Sequence, residues 1–412
     1  MMFQQRRSVS TKLAVVLLTV ASIAFTSSTS VAHAQDSALP PMDFSRVEEG
    51  NSLNLEVKSA FLMDAQTGQV LYRYRSDERI QPASLAKILT FEYMLEALED
   101  QRLAMDDMAV VSERAWRLSL DSSVSRMFLE VGDQVPIRDL LYGLMVSSGN
   151  DAAVVLAEHM AGTEEAFVVE LNELASELGL KNTVLKNSHG LEAEGQFTTA
   201  EDMAVLARHI VLEHPEGLEI TSTKEFQYGI EYAQPNFNSL VFRDSRVTGL
   251  KTGHLSVSGY HVVATAEDEN QSLIAVVMGA ASDQARANEA YALLQYGFRQ
   301  FDNVQVDWQK DVETKIPVFK GQAREVALTT PYPLFVTVSN ESSEGLSVRQ
   351  ELSKPLVAPV NQGQVVGKLT VLMGDEPIKE VDLVAAQEVR RGGWWRVMVD
   401  SLRLFVATLF GA

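Results

Sequence analysis

Ser84 and Lys87 stand three residues apart in Pro82-Ala83-Ser84-Leu85-Ala86-Lys87. A hydroxyl and an amine at that spacing share one face of a helix. A serine at the helix start also sits at the positive end of the helix dipole, which favours the alkoxide that develops as it attacks a carbonyl. Two further strings extend the inventory. Ser148-Gly149-Asn150 offers a relay hydroxyl and an orienting amide, and Lys251-Thr252-Gly253 offers a second amine and a carboxylate-binding hydroxyl. Gly253 lets a substrate backbone approach closely, and the next N–H, of His254, is a candidate oxyanion donor. Together these groups suit acyl transfer through a serine ester. Each string has a plainer reading when taken alone. The first is an N-cap beside a solvated lysine, the second a helix cap, and the third a tight turn at a sheet edge.

Lys87 works as a base only when neutral. An unperturbed lysine titrates near ~10.4, so neutrality at pH 7 requires a depression of about 3.4, roughly 4.6 kcal/mol. Burial is expected to supply part of it and a neighbouring cation, Lys251, the rest.

The elements that must position these groups follow from periodicity. Alternating apolar residues predict strands over 59–64 and 69–74, joined at Thr67-Gly68 as a hairpin. A helix is expected over 84–98, with Pro82 just before it, where a missing N–H does no harm. Helical patterns follow at 137–145, 152–161, 164–178 and 199–212. Extended segments are expected at 241–242, leading into the Lys251 region, and at 260–267 and 272–279, with a closing helix over 283–301. A hairpin, an all-helical middle and a meander with a helix predict an α+β fold. In it one antiparallel sheet, drawn from both ends of the segment, is flanked by helices and carries an all-helical subdomain. From 314 to 384 short alternating runs are broken by glycine and proline, which reads as a small β-sandwich or barrel-like domain.

The two ends of the chain read differently. Arg6, Arg7 and Lys12 precede an apolar run from Leu13 to Phe25, and Ala32-His33-Ala34 offers a small-x-small cleavage site, so residues 1–34 are expected to be a secretory signal peptide. The expected domains are then 35–301, carrying the chemistry, 302–388, rich in β-structure, and 389–412. In that last segment Arg396, Asp400 and Arg403 form a narrow polar stripe on an otherwise apolar helix with Trp394 and Trp395 at its start. Such a helix fits the membrane interface, with tryptophans at headgroup depth and arginines near anionic lipid; packing on the protein's own core is the alternative.

Composition narrows the function. The chain carries a net charge of −20, and removing the leader's three cations leaves −23, which excludes a nucleic-acid partner. With no cysteine, disulfides, zinc thiolates and thiol catalysis are excluded. His159, His189, His209, His214 and His261 show no His-Glu-x-x-His spacing, so no metal or other cofactor is expected. No Gly-x-Ser-x-Gly elbow occurs, which removes an α/β-hydrolase.

The three strings, with Asn187-Ser188-His189-Gly190-Leu191 and Thr199-Ala200-Glu201-Asp202-Met203-Ala204, resemble the motifs of low-molecular-mass penicillin-binding proteins, and more narrowly the serine-type D-alanyl-D-alanine carboxypeptidases. The resemblance extends over essentially the whole chain after the leader. It implies the penicillin-binding/β-lactamase-like fold and an exported enzyme held peripherally on the periplasmic face of the inner membrane. That enzyme would remove the terminal D-alanine from peptidoglycan pentapeptide stems and be acylated by β-lactams. It implies Ser84 as nucleophile, Lys87 as base, Ser148 and Asn150 as a second wall, and Ser148 as proton donor to the leaving D-alanine. It further implies Lys251 as electrostatic tuner, Thr252 as carboxylate ligand, the Ser84 and His254 N–H groups as oxyanion hole, and Arg286 as a second carboxylate ligand. Thr248 stands where relatives often carry an acidic residue.

Rivals share the machinery. A D,D-endopeptidase or a transpeptidase would act on the same stems. A class A β-lactamase would need a glutamate roughly 35–40 residues past the second motif, and Lys181–Ser188 holds no acidic residue. A non-catalytic peptidoglycan binder is disfavoured by the presence of Ser84, Lys87 and Lys251 together.

Overall fold

The computed structural model describes residues 39–310, 312–340, 345–353 and 355–410, with side chains to Val406; the expected signal peptide, 1–34, lies outside the described residues. Strands β1 (Ser59–Asp64) and β2 (Val70–Tyr74) pair antiparallel. The Asp64 carboxylate closes the turn between them by accepting the Thr67 N–H at 2.8 Å and the Thr67 hydroxyl at 2.9 Å. Helix α1 (Ala86–Glu99) follows, entered through a 3-10 turn at Ala83–Leu85 that contains Ser84. Between α1 and the rest of the sheet come the ribbon β3 (Met108–Val110) with β4 (Gln134–Pro136) and the helices α2 (Glu113–Leu120), α3 (Ile137–Met145), α4 (Asn150–Ala161), α5 (Glu164–Glu177), α6 (Ala200–Glu213) and α7 (Gly217–Thr221). A second ribbon, β5 (Glu225–Phe226) with β6 (Gln234–Pro235), and helix α8 (Leu240–Arg243) lead to β7 (Val247–Leu255), β8 (Gly259–Asp268) and β9 (Gln271–Ala280), and α9 (Asp283–Gln300) closes the segment.

The sheet order is β2-β1-β9-β8-β7, so strands from both ends of the segment meet in one antiparallel sheet. Its period of two sorts the core into two layers. Phe61, Met63, Val263, Ile274 and Val276 face the helical region, while Ala60, Leu62, Val262, Ala275 and Val277 face Leu293 and Leu294 of α9. Both faces are covered, which is why β1 is buried at every position. Helix α1 runs through the helical layer and is buried nearly all round, its polar residues Lys87, Thr90 and Glu92 included.

Local chemistry sets the helix starts. Ser112, Thr163, Thr199 and Ser282 each accept an N–H from the first turn of the helix they precede. One expectation is corrected: residues 241–242 are helical, within α8, not extended. The Asn238 side chain accepts the Leu240 N–H at 3.2 Å and its carbonyl accepts that of Val241 at 3.2 Å, and this capping turn overrides the strand preference of Val241 and Phe242.

Beyond α9 lie β10 (Phe301–Gln305), β11 (Lys315–Phe319), β12 (Glu325–Thr329), β13 (Phe335–Ser339), β14 (Leu346–Leu352), β15 (Leu356–Val357), β16 (Val365–Met373) and β17 (Glu376–Ala385). They form a six-stranded sheet, β14-β16-β17-β12-β11-β15, and a β10–β13 ribbon around a core that includes Val326, Val338, Val366 and Leu383. A polar seam joins this part to the first sheet. Asn303 donates to Asp64 at 2.8 Å, Thr67 and Thr337 share a hydroxyl hydrogen bond at 2.6 Å, and Lys379 donates to the Thr67 carbonyl at 2.9 Å.

The last segment differs from the expected 389–412. Val389 pairs with Val360 and Arg391 with Gly321, so these residues extend the β-structure, and the helix α10 begins at Trp394 and runs to Phe410. Its Asp400 faces the protein, 5% exposed, and accepts the Lys320 N–H at 2.7 Å, while Trp394 and Leu402 are 75% and 65% exposed. Among the described residues no helix is long and apolar enough to cross a membrane.

Candidate active site

The 3-10 turn that carries Ser84 starts from Ala83, whose φ of 51° lies in the left-handed region uncommon for a residue with a side chain. Gly190 packs its backbone on the Ala83 carbonyl, and a Cβ there would collide with that oxygen. The turn is thereby fixed from outside and presents a half-buried Ser84 at the mouth of a cleft of ≈ 680 Å³.

One helical turn on, Lys87 is sealed from solvent. Its Nζ lies 3.0 Å from Ser84 Oγ, 2.6 Å from Asn150 Oδ1 and 2.7 Å from the His189 carbonyl oxygen. Two of these partners are oxygens that accept and cannot donate. A neutral amine has two N–H groups and one lone pair, so both hydrogens go to the carbonyls and the lone pair faces the hydroxyl. Burial lowers the Lys87 pKa to about 7, and the Asp151 carboxylate opposes that fall. Burial is the leading cause of the depression, since no water reaches the amine.

Lys251 is buried on β7, with Nζ donating to the Thr252 carbonyl at 3.1 Å. Its pKa is held well below the ordinary lysine value by burial first, then by repulsion from Lys87 and Arg286.

Asn150 opens α4 behind Gly149, and its N–H donates to the Ser125 carbonyl at 2.9 Å. Ser148 is buried at a φ of 55° and lines the cleft beside it. Asp151, next along, accepts from the Ser119 hydroxyl at 2.7 Å and the Met127 N–H at 2.9 Å, which locks the entry to α4. Strained backbone at Ala83 and Ser148 thus clusters around one cleft.

Thr252, Gly253, His254 and Arg286 border the same cleft. A Cβ on Gly253 would stand 3.1 Å from Ser84 N, so β7 comes against the serine turn only because this residue lacks a side chain. Arg286 is buried on α9, paired with Asp283, and donates to the Gly253 carbonyl at 3.3 Å and the Phe237 carbonyl at 3.2 Å. Burial lowers its pKa from the usual arginine value and Asp283 opposes this.

The structure thus brings Ser84, Lys87 and Asn150 into direct contact and sets Ser148, Thr252, Gly253, His254 and Arg286 on the same cleft, with Lys251 buried on β7 next to Thr252. Sequence reasoning did not anticipate the His189 carbonyl, which sits in the Asn187–Leu191 string, nor Glu164 behind it. Glu164 reaches from α5 into the loop where no acidic residue was found, accepting the Ser188 N–H at 3.0 Å and hydroxyl at 2.8 Å and pairing with Arg114. Two histidines set aside on spacing, His209 and His214, converge on Glu92.

A family model described as D-alanyl-D-alanine carboxypeptidase matches residues 46–282, and one described as the C-terminal domain of penicillin-binding protein 5 matches 301–391. The chain is 35% identical to the D-alanyl-D-alanine carboxypeptidase DacC of Escherichia coli K12, covering 90% of this chain and 94% of the relative. It is 33% identical to DacF of Bacillus subtilis, over 87% of this chain and 91% of that one. Among solved structures, penicillin-binding protein 5 from Haemophilus influenzae superposes with a TM-score of 0.76 at 35% identity, covering 82% of this chain and 98% of that chain.

Proposed function

The chain belongs to the D-alanyl-D-alanine carboxypeptidase family, and from that membership we propose that it removes the terminal D-alanine of peptidoglycan pentapeptide stems through an ester on Ser84. The observation that carries this reading is the contact set of Lys87, whose lone pair is left facing Ser84 Oγ at 3.0 Å. Neutral Lys87 takes the hydroxyl proton as Oγ attacks the carbonyl carbon of the penultimate D-alanine. The N–H groups of Ser84 and His254 receive the oxyanion. The C–N bond then breaks as the proton that Lys87 took is relayed through Ser148 to the leaving amine, so free D-alanine departs and Lys87 is neutral again. Water gives a proton to Lys87 as it attacks the ester carbonyl, and Lys87 passes that proton to Ser84 Oγ as the ester C–O bond breaks, which restores both groups. Asn150 orients the substrate's peptide group, Lys251 tunes the field around the hydroxyl, and Thr252 and Arg286 hold the terminal carboxylate beside Gly253. A β-lactam carries a carboxylate and a strained amide, so it enters the same cleft and leaves an acyl group on Ser84.

The enzyme is exported after loss of residues 1–34, its chemistry lies in 35–301 with 302–388 as spacer, and α10 rests on the outer face of the inner membrane. The leader's cationic and apolar pattern supports export, and the exposed tryptophans of α10 support the membrane contact. The test is incubation with a labelled β-lactam, peptide mapping of the label and a D-alanine release assay. Label on Ser84 together with release of D-alanine is the expected result. Rapid β-lactam turnover without D-alanine release would identify a β-lactamase instead.

A further inference from the structure

Away from the cleft, the middle of α1 meets the C-terminal end of α6 at three side chains that the acyl chemistry does not use. Glu92 is fully buried. Its Oε1 lies 2.7 Å from His209 Nδ1 and 3.3 Å from His214 Nε2. Its other oxygen, Oε2, is buried with no hydrogen-bond partner. The three facing atoms all lie within 4.8 Å of one another; atoms about 2.0–2.2 Å from a tetrahedral zinc ion stand about 3.4 Å apart, so an ion replacing the shared proton would part Glu92 Oε1 and His209 Nδ1 from their 2.7 Å contact by less than an ångström. Small rotations of the two rings would bring them to an ion.

The surroundings suit a metal ligand set. The outer nitrogen of His214, Nδ1, faces Glu216 at 3.7 Å and Glu99 at 3.8 Å. Carboxylates on that side attract the proton to the far nitrogen and favour a free lone pair on the inner one, the tautomer that metal-bound histidines adopt. With both imidazoles neutral, a dication supplies the same +2 that two imidazolium protons would otherwise bring to Glu92, Glu99 and Glu216. His209 is 26% exposed, which gives an ion an entry path.

We propose that Glu92, His209 and His214 form a binding site for a divalent transition cation of the zinc class, stapling α1 to α6. Two imidazole nitrogens and a carboxylate select zinc-like ions over calcium or magnesium, which prefer all-oxygen shells. The site is separate from the serine chemistry, so it stands or falls independently of it.

The test uses untagged full-length protein, stripped with a chelator and titrated with zinc chloride by calorimetry, with thermal melts alongside. Expected are one saturable equivalent, a melting temperature several degrees higher with zinc, and no such response to calcium. His209→Gln, at a partly exposed position, and His214→Gln should each lower zinc affinity at least tenfold while D-alanine release continues. Absence of saturable uptake, uptake unaltered in the His209→Gln/His214→Gln double variant, or an equal response to calcium would overturn the assignment and leave a buried carboxylate paired with two imidazolium rings.

Discussion

Lys87 Nζ donates to Asn150 Oδ1 at 2.6 Å, and this contact decides what remains of the amine for Ser84. With Asn150 and the His189 carbonyl taking both hydrogens of the neutral form, the direction toward Ser84 Oγ can only accept. Ser84 and Lys87 are thus arranged by α1, α4 and the loop before α6 jointly.

The first consequence is a pH profile. Burial brings the Lys87 pKa to about 7, so the neutral fraction rises through that pH and saturates above it. The rate of Ser84 acylation by a labelled β-lactam should therefore fall about tenfold per pH unit below the midpoint and level off above about pH 8. Lys87→Met should lose about 10²–10⁴ in acylation rate and show no such inflection. A wild-type profile flat from pH 5 to 8 would remove Lys87 from the role of base.

Asn150→Asp tests the same amine through its neighbour. An anion at hydrogen-bond distance favours the charged lysine. The sign is unambiguous: the Lys87 pKa rises, so the acylation midpoint moves upward by at least about one unit and the rate at pH 7 drops about fivefold or more. An unchanged midpoint in stopped-flow acylation across pH would show that residue 150 does not touch the base.

Gly253→Ala probes the approach of β7 to the serine turn. The added Cβ meets Ser84 N at 3.1 Å, Pro82 O at 3.1 Å and Ala83 Cβ at 3.1 Å, and two of these are backbone atoms with little freedom to retreat. The substitution should push the strand off the serine turn, and on the proposed role of the His254 N–H as oxyanion donor it should cost about 10²–10³-fold in kcat for D-alanine release. Full activity would mean that the separation of the two strings has no bearing on the chemistry.

How much of this was legible in the residues depends on whether a pattern is local. The hairpin at 59–74 and the helices at 137–145 and 164–177 were readable because alternation and helical period sit within a few residues. Helix α2 escaped notice because its sequence, Glu-Arg-Ala-Trp-Arg-Leu-Ser-Leu, buries only Ala115 and Ser119. Residues 241–242 were misread because the capping asparagine, Asn238, outweighs their side-chain preference. The burial of Lys87 was invisible in principle: a lysine on a helix defaults to solvent, and only the packing of α1 on every side removes it from water. The Glu92 cluster was equally hidden, since its carboxylate lies 117 residues before His209 and no spacing rule spans such a gap.

Helix α10 carries the last prediction. A helix docked on its own protein would cover its apolar side, yet here Asp400 turns inward to the Lys320 N–H, with Arg396 and Arg403 each 3.6 Å from it, while Trp395 and Phe405 are exposed. That outward apolar face, with arginines beside it, matches an anionic bilayer surface. Because Val389 and Arg391 pair with the β-structure, the informative truncation ends at Gly392, not earlier. The full chain without its leader should pellet with vesicles containing anionic lipid, less so as salt rises, and the truncated chain should stay in the supernatant with D-alanine release undiminished. Continued pelleting of the truncated chain would place the membrane contact elsewhere on the molecule, and for a body of net charge −24, once the leader's three cations and the net +1 of residues 393–412 are gone, adhesion of that kind to anionic lipid runs against its own electrostatics.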